Sequence, residues 1–140
     1  MTEELLRWAK TYLEQKDIHK KEISSLTKED PWDIILNLKN GTRKLCKIEK
    51  QFDPEKLLPL LGIEPVFVFL PNTRKNFQML VQHWQALKTF PKLCIFFVNP
   101  HSATETKWII YPYTHDRITE KESLEIGLKS IFETVEEIKE

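Results

Sequence analysis

Apolar residues recur at helical spacing near both ends of the chain and in alternating or continuous runs through its middle. Leu5, Trp8, Ala9, Tyr12 and Leu13 share one face of a helical period, so the spacing predicts an amphipathic helix, with Thr2 as its cap and Glu3 and Glu4 in the favourable first turn. The next stretch, KDIHKKEISSLTKED, is polar and reads as a loop or a second short helix. WDIILNLK and TRKLCKIEKQF then flank Asn40-Gly41, a pair suited to a turn that needs positive φ, and predict a β-hairpin. FDPEKLLPLLG reads as a short helix with Asp53 as cap, Pro54 in the first helical position and Gly62 as the stop. PVFVFLP and KLCIFFVNP are apolar on both faces, as central strands are.

Between those strands, Asn72 or Thr73 caps a helix whose face is Phe77, Leu80, Val81, Trp84 and Leu87. Strand, helix, strand across residues 65–99 predicts a right-handed crossover joining parallel neighbours. KWIIYPYTHDRI reads as a further strand, broken or edged at Pro112. Leu124, Leu128, Ile131, Phe132, Val135 and Ile138 mark a long terminal helix. The expected class is α/β (α+β): one domain over residues 1–140, a mixed sheet of about five strands flanked by helices, in the order α-β-β-α-β-α-β-β-α.

The hairpin turn has a chemical consequence. With a two-residue loop, Asn40 and Gly41, paired positions sum to 81, and Asp33 and Glu49 fall on opposite faces. With a three-residue loop, Asn40 to Thr42, the sum is 82 and the two carboxylates stand directly across from one another, with Cβ atoms about 5 Å apart. The apolar pattern favours the first register.

Composition adds less. The chain is 41% hydrophobic and 30% charged, which excludes a disordered or fibrous class. Its 21 basic and 21 acidic residues cancel. The balance is uneven along the chain, however. Residues 39–50 hold five basic residues and one acid, a net of +4, while residues 119–140 hold seven acids and three basic residues, a net of −4. A basic hairpin of this kind either is a solvated face or, with Arg74 and Lys75 at the next helix start, meets phosphates or an acidic partner through Arg43, Lys44 and Lys50. Cys46 and Cys94 lack zinc or redox spacing and read as buried free thiols of a cytoplasmic protein. No apolar run is long enough to span a bilayer and the N-terminus lacks the order of a secretory leader, so no membrane association is expected.

Two carboxylates on adjacent strands suit a hard divalent cation such as Mg2+. The hairpin carrying Pro31-x-Asp33 and Glu49-x-Gln51, followed by a strand–helix–strand unit, resembles a degenerate PD-(D/E)xK nuclease, of the restriction-endonuclease-like fold. That resemblance spans residues 3–113 by element order. It implies metal-dependent phosphodiester hydrolysis, with Asp33 and Glu49 as metal ligands and catalytic residues. Gln51 stands where the family pattern has lysine, and Lys47, which shares the face of Glu49 on its other side, is the third candidate catalytic residue.

A second reading is a non-catalytic module that binds nucleic acid or a protein through the basic hairpin or an edge strand. Trp108, Tyr111 and Tyr113 are expected on such an edge, where they would stack bases or form a homodimer contact. Trp8, Trp84, Phe77 and Phe132 sit on helical apolar faces and are expected in the core. Among His19, His83, His101 and His115, only His115 has a suggestive setting, as an acid–base pair with Asp116 or as a turn cap.

Overall fold

A computed structural model describes residues 2–139. The elements are α1 (Thr2–Asp17), β1 (Ile23–Glu29), β2 (Trp32–Leu38), β3 (Arg43–Ile48), α2 (Pro54–Leu57), a 3₁₀ turn (Leu58–Leu60), β4 (Val66–Pro71), α3 (Arg74–Gln82), α4 (Trp84–Leu87), β5 (Leu93–Val98), β6 (Lys107–Ile110), α5 (Pro112–Ile118) and α6 (Lys121–Phe132). The fold is a mixed α/β structure built on one six-stranded sheet, in the sequential order β1-β2-β3-β4-β5-β6. β3, β4 and β5 are parallel to one another, and antiparallel pairs complete both edges.

The parallel pairing of β4 and β5 is the one anticipated for residues 65–99. The strand count and order are corrected at the polar stretch after α1. It contains neither a loop alone nor a helix but the edge strand β1, whose burial pattern shows only Ile23 and Leu26 partly covered. Its periodicity is too weak to identify because only one edge and part of one face are paired. The carboxylate of Asp17, at the end of α1, accepts the amides of Glu22 and Ile23 and turns the chain into that strand.

The long middle helix is divided at His83, which forms the C-cap of α3. Its cap is Thr73, whose hydroxyl accepts the Asn76 amide. The strand read from KWIIYPYTHDRI stops at Ile110, just short of Pro112. Pro112 opens α5, a position where its missing N–H costs nothing. The last helix stops at Phe132, and Val135 and Ile138 belong to a tail fastened by buried amides. Asn72 Nδ2 donates to the Val135 carbonyl, Asn99 Nδ2 donates to the Glu136 carbonyl, and Ile138 N donates to the Asn72 carbonyl.

Each face of the sheet carries its own core. One is built on Ile35, Leu45, Val68, Leu70, Ile95 and Phe97, covered by α2, α3, α4 and α6. The other is built on Ile34, Cys46, Phe69, Phe96 and Val98, covered by α1 through Leu5, Ala9 and Leu13. Trp84, Phe77 and Phe132 are buried as expected, while Trp8 is partly exposed and stacks on Tyr12. The two thiols are free and buried, and burial pushes each up to about 12. Among the described residues, no helix is long and apolar enough to cross a membrane.

Gly41 closes the hairpin at φ +87° with no heavy atom within 4 Å of where a Cβ would stand. Its cost on substitution is therefore conformational. Gly41→Ala is expected to lose about 1 kcal/mol in urea unfolding, and Gly41→Asn less than that.

Candidate functional site

The hairpin turn is neither of the two loops weighed from sequence. Leu38 N donates to the Thr42 carbonyl at 2.9 Å, and Gly41 N donates to the Leu38 carbonyl at 3.0 Å. The loop is therefore Lys39, Asn40 and Gly41. Asn40 Oδ1 holds it by accepting the Thr42 amide at 3.0 Å and the Thr42 hydroxyl at 2.6 Å. Ile34 pairs with Cys46 and Asn37 with Arg43, so paired positions sum to 80. One step past the ladder, this register sets Asp33 level with Lys47, and Glu49 a diagonal step beyond.

A β-bulge then intervenes. Thr27 pairs with Ile35 and Glu29 with Trp32, so the β2 strand carries an extra residue against β1 at this point. Trp32 and Ile34 consequently join opposite cores, where strict alternation would put them together. Asp33 sits in the bulge and points along the sheet. Its Oδ2 accepts the Ile48 amide at 2.7 Å, taking the place of a ladder carbonyl.

The largest cleft, about 820 Å3, opens where β3 ends and the chain turns into α2. Lys47, Glu49, Lys50 and Gln51 line it from the strand side, Asp53 and Lys56 from α2 and its cap, and Lys75 and Asn76 from α3. Asp33 is not among its lining residues. Four lysines (Lys47, Lys50, Lys56, Lys75) against three acids (Glu49, Asp53, Glu55) leave a local charge of +1.

Glu49 is half-buried. Burial raises its pKa above the usual carboxylate range, with the charges of Asp53 and Asp33 adding to the effect; Lys47 and a hydrogen bond from the Asp53 backbone oppose it. Since the folded pKa lies above the unfolded one, the folded state holds the extra proton. This carboxyl therefore takes stability away as pH rises from the unfolded pKa through the folded one. Glu49→Gln is expected to melt higher than wild type at pH 7, and the difference should shrink toward zero in melts at pH 4.

Asn76 organises the cleft wall and was not identified from sequence. Its side chain is buried. Oδ1 accepts the Phe52 amide at 2.9 Å, and Nδ2 donates to the carbonyls of Lys50 and Pro71, each at 3.1 Å. These bonds tie the segment after β3 to the start of α3. A polar residue in the first turn of a helix looks like a solvated position in sequence; only the neighbouring β3 segment makes it a bridge.

The basic residues predicted to meet nucleic acid do not form one patch. Lys50 and Lys75 line the cleft. Arg43 is engaged by Glu64, with Nε at 2.8 Å and Nη2 at 3.0 Å, and by Glu29 at 3.5 Å. Arg74 pairs with Glu137 at 3.0 Å, so the acidic C-terminal segment partly neutralises it. Lys44 lies over the Phe67 ring, 5.5 Å from its centroid, on the α1 face. Lys47 Nζ donates to the Pro31 carbonyl at 3.0 Å.

β6 is an edge strand of the sheet, but it does not present an aromatic face. Trp108 is buried on β6, while Tyr113 lies on α5, under Arg117 at 4.8 Å. His115 and Asp116 take separate partners. The Tyr111 amide donates to His115 Nδ1, and Trp84 Nε1 donates to Asp116 at 2.9 Å. His115 is thus a cap, in line with the turn-capping alternative. Among the described residues, no group of three or more His, Cys, Asp and Glu side chains is arranged to hold a metal ion. No protein-family model, curated protein or solved structure matches the chain.

Proposed function

We propose that the chain is a nuclease-like domain that binds a phosphodiester backbone in the cleft at the end of β3 and hydrolyses it with a divalent cation. The observation that carries this reading is positional. Glu49 and Lys47 line the largest concavity together, and Lys50, Lys56 and Lys75 surround them. Mg2+ commonly binds through one or two carboxylates plus oxygens of a substrate phosphate. Glu49 supplies one such carboxylate in the cleft; Asp33, outside the cleft lining, would add the oxygen not committed to the Ile48 amide, and the cation has to arrive with the phosphate. When bound, it would activate water and offset phosphate charge. Lys50 and Lys75, both exposed, hold the backbone electrostatically, and Asn76 keeps the Lys50–Phe52 wall in place.

Binding without hydrolysis is the second reading. It is favoured by the commitment of Asp33 to a backbone amide and by Gln51 at the position of the family lysine. End-labelled single-stranded DNA, duplex DNA and RNA incubated with Mg2+ or Mn2+ separate the two. Hydrolysis predicts cleavage that EDTA abolishes and that Glu49→Ala lowers by about a hundredfold or more. Retention without cleavage, with the salt slope reduced by about one for each of Lys50→Gln and Lys75→Gln, supports binding alone. Cleavage untouched by Glu49→Ala, or retention indifferent to salt, sinks both.

A further inference from the structure

A second concavity, of about 270 Å3, lies on the opposite face of the sheet, where the C-terminal half of α1 stops short of β2 and β3. Its floor is aromatic. Phe67 and Phe96 meet edge to face at 5.6 Å, and Tyr12 leans on Phe96 at 5.4 Å. Phe67 and Tyr12 are only partly buried, although Phe67 sits on a central strand whose neighbouring positions are fully covered. Tyr111 closes one side.

The rim is cationic. Lys16 Nζ stands 5.6 Å from the Tyr12 centroid and Lys44 Nζ 5.5 Å from Phe67, while Lys107 Nζ, outside the pocket lining, stands 5.4 Å from the Tyr12 ring. Lys20 also lines the opening. Among the described residues, none of these four ammonium groups has a carboxylate within ion-pair distance. Two acids line the same pocket. The Asp17 carboxylate is committed to the amides of Glu22 and Ile23, and Glu22 is exposed.

An aromatic floor under unpaired lysines recognises a planar ring that carries an anion. The volume admits a single base with its sugar phosphate and excludes a duplex. We propose that this pocket binds one nucleoside monophosphate unit, its base against Phe67 and its phosphate among Lys16, Lys20 and Lys44. This site is independent of the cleft, because Lys44 and Phe67 lie on the face away from Lys47 and Glu49. The unit could be a free nucleotide or the phosphorylated end of a strand; the two share this chemistry.

Calorimetric titration of the full chain tests it with adenosine 5′-monophosphate, ribose 5-phosphate, adenosine and a 5′-phosphorylated octanucleotide. Adenosine monophosphate is expected to bind at least about tenfold more tightly than either half-ligand, because both the ring and the anion are recognised. Lys44→Glu and Phe67→Leu should each weaken it by roughly tenfold, the second keeping the strand apolar, while Glu49→Ala leaves the affinity unchanged. If only the octanucleotide binds, with the same losses, the occupant is a strand end. Ribose 5-phosphate binding as well as the nucleotide overturns the proposal. So does nucleotide binding lost with Glu49→Ala but retained with Lys44→Glu, and so does the absence of heat from every ligand at about 5 mM, where millimolar affinity would register.

Discussion

Trp108→Ala is expected to lower the unfolding free energy by about 5 kcal/mol, against a total of roughly 5–15 kcal/mol for a typical domain. The indole is 4% exposed and stacks on Phe97 at 4.2 Å, with Phe77 and Phe132 against its edges. Truncation removes the ring from the core of the helix-rich face and leaves a cavity that the strands cannot close. It also orphans a buried acceptor, since Trp108 Nε1 donates to Asn72 Oδ1 at 2.7 Å. The same amide holds the Val135 and Glu136 carbonyls, so the tail should loosen with it. Trp108→Phe keeps most of the area and loses the donor, and should cost about 1–3 kcal/mol. Urea denaturation followed by far-UV dichroism measures both. A loss below about 2 kcal/mol in the alanine variant would show that the ring is not packed as described.

Asn76→Leu is the second large effect, expected at about 3–5 kcal/mol. Leucine nearly conserves volume, so the loss is electrostatic. The Phe52 amide and the Lys50 carbonyl would lose their partner at the buried cleft wall, and the Pro71 carbonyl would keep only the Thr73 amide. Hydrogen exchange gives a local readout: the Phe52 amide should exchange faster even in denaturant-free buffer, before the molecule unfolds globally. Unchanged protection at Phe52 would show that Asn76 does not hold the cleft wall. In that case the proposed placement of Lys50 beside Lys75 would lose its structural support as well.

How far the amino-acid order reaches can be seen element by element. The two apolar runs at β4 and β5 could be assigned because a strand buried on both faces needs no particular neighbour to look apolar. The caps of α2 and α3 were legible because capping is local: Asp53 and Thr73 each satisfy an amide three residues on. β1 was not legible, because an edge strand with one paired side retains a polar composition that suits a loop equally well. Trp108 looked like part of an exposed aromatic strand because Trp108, Tyr111 and Tyr113 fall close together around Ile109 and Pro112. Its burial depends on Phe77 and Phe132, which arrive from helices far along the chain.

The candidate site divides along the same line. Residue types and spacing sufficed to single out Asp33, Lys47 and Glu49 and to make the turn at Asn40-Gly41 the deciding feature. Local sequence could not settle the outcome. The positive φ at Gly41 and the Asn40 side chain select a loop one residue earlier than expected, and the bulge opposite Thr27 to Glu29 rotates Asp33 out of alternation. Both are consequences of pairing with a strand that was itself hidden. Short-range order thus determined which side chains carry charge and where the chain turns. Long-range packing decided which of those charges share a cavity, because register and bulges are set by the partners a strand meets and not by the strand alone.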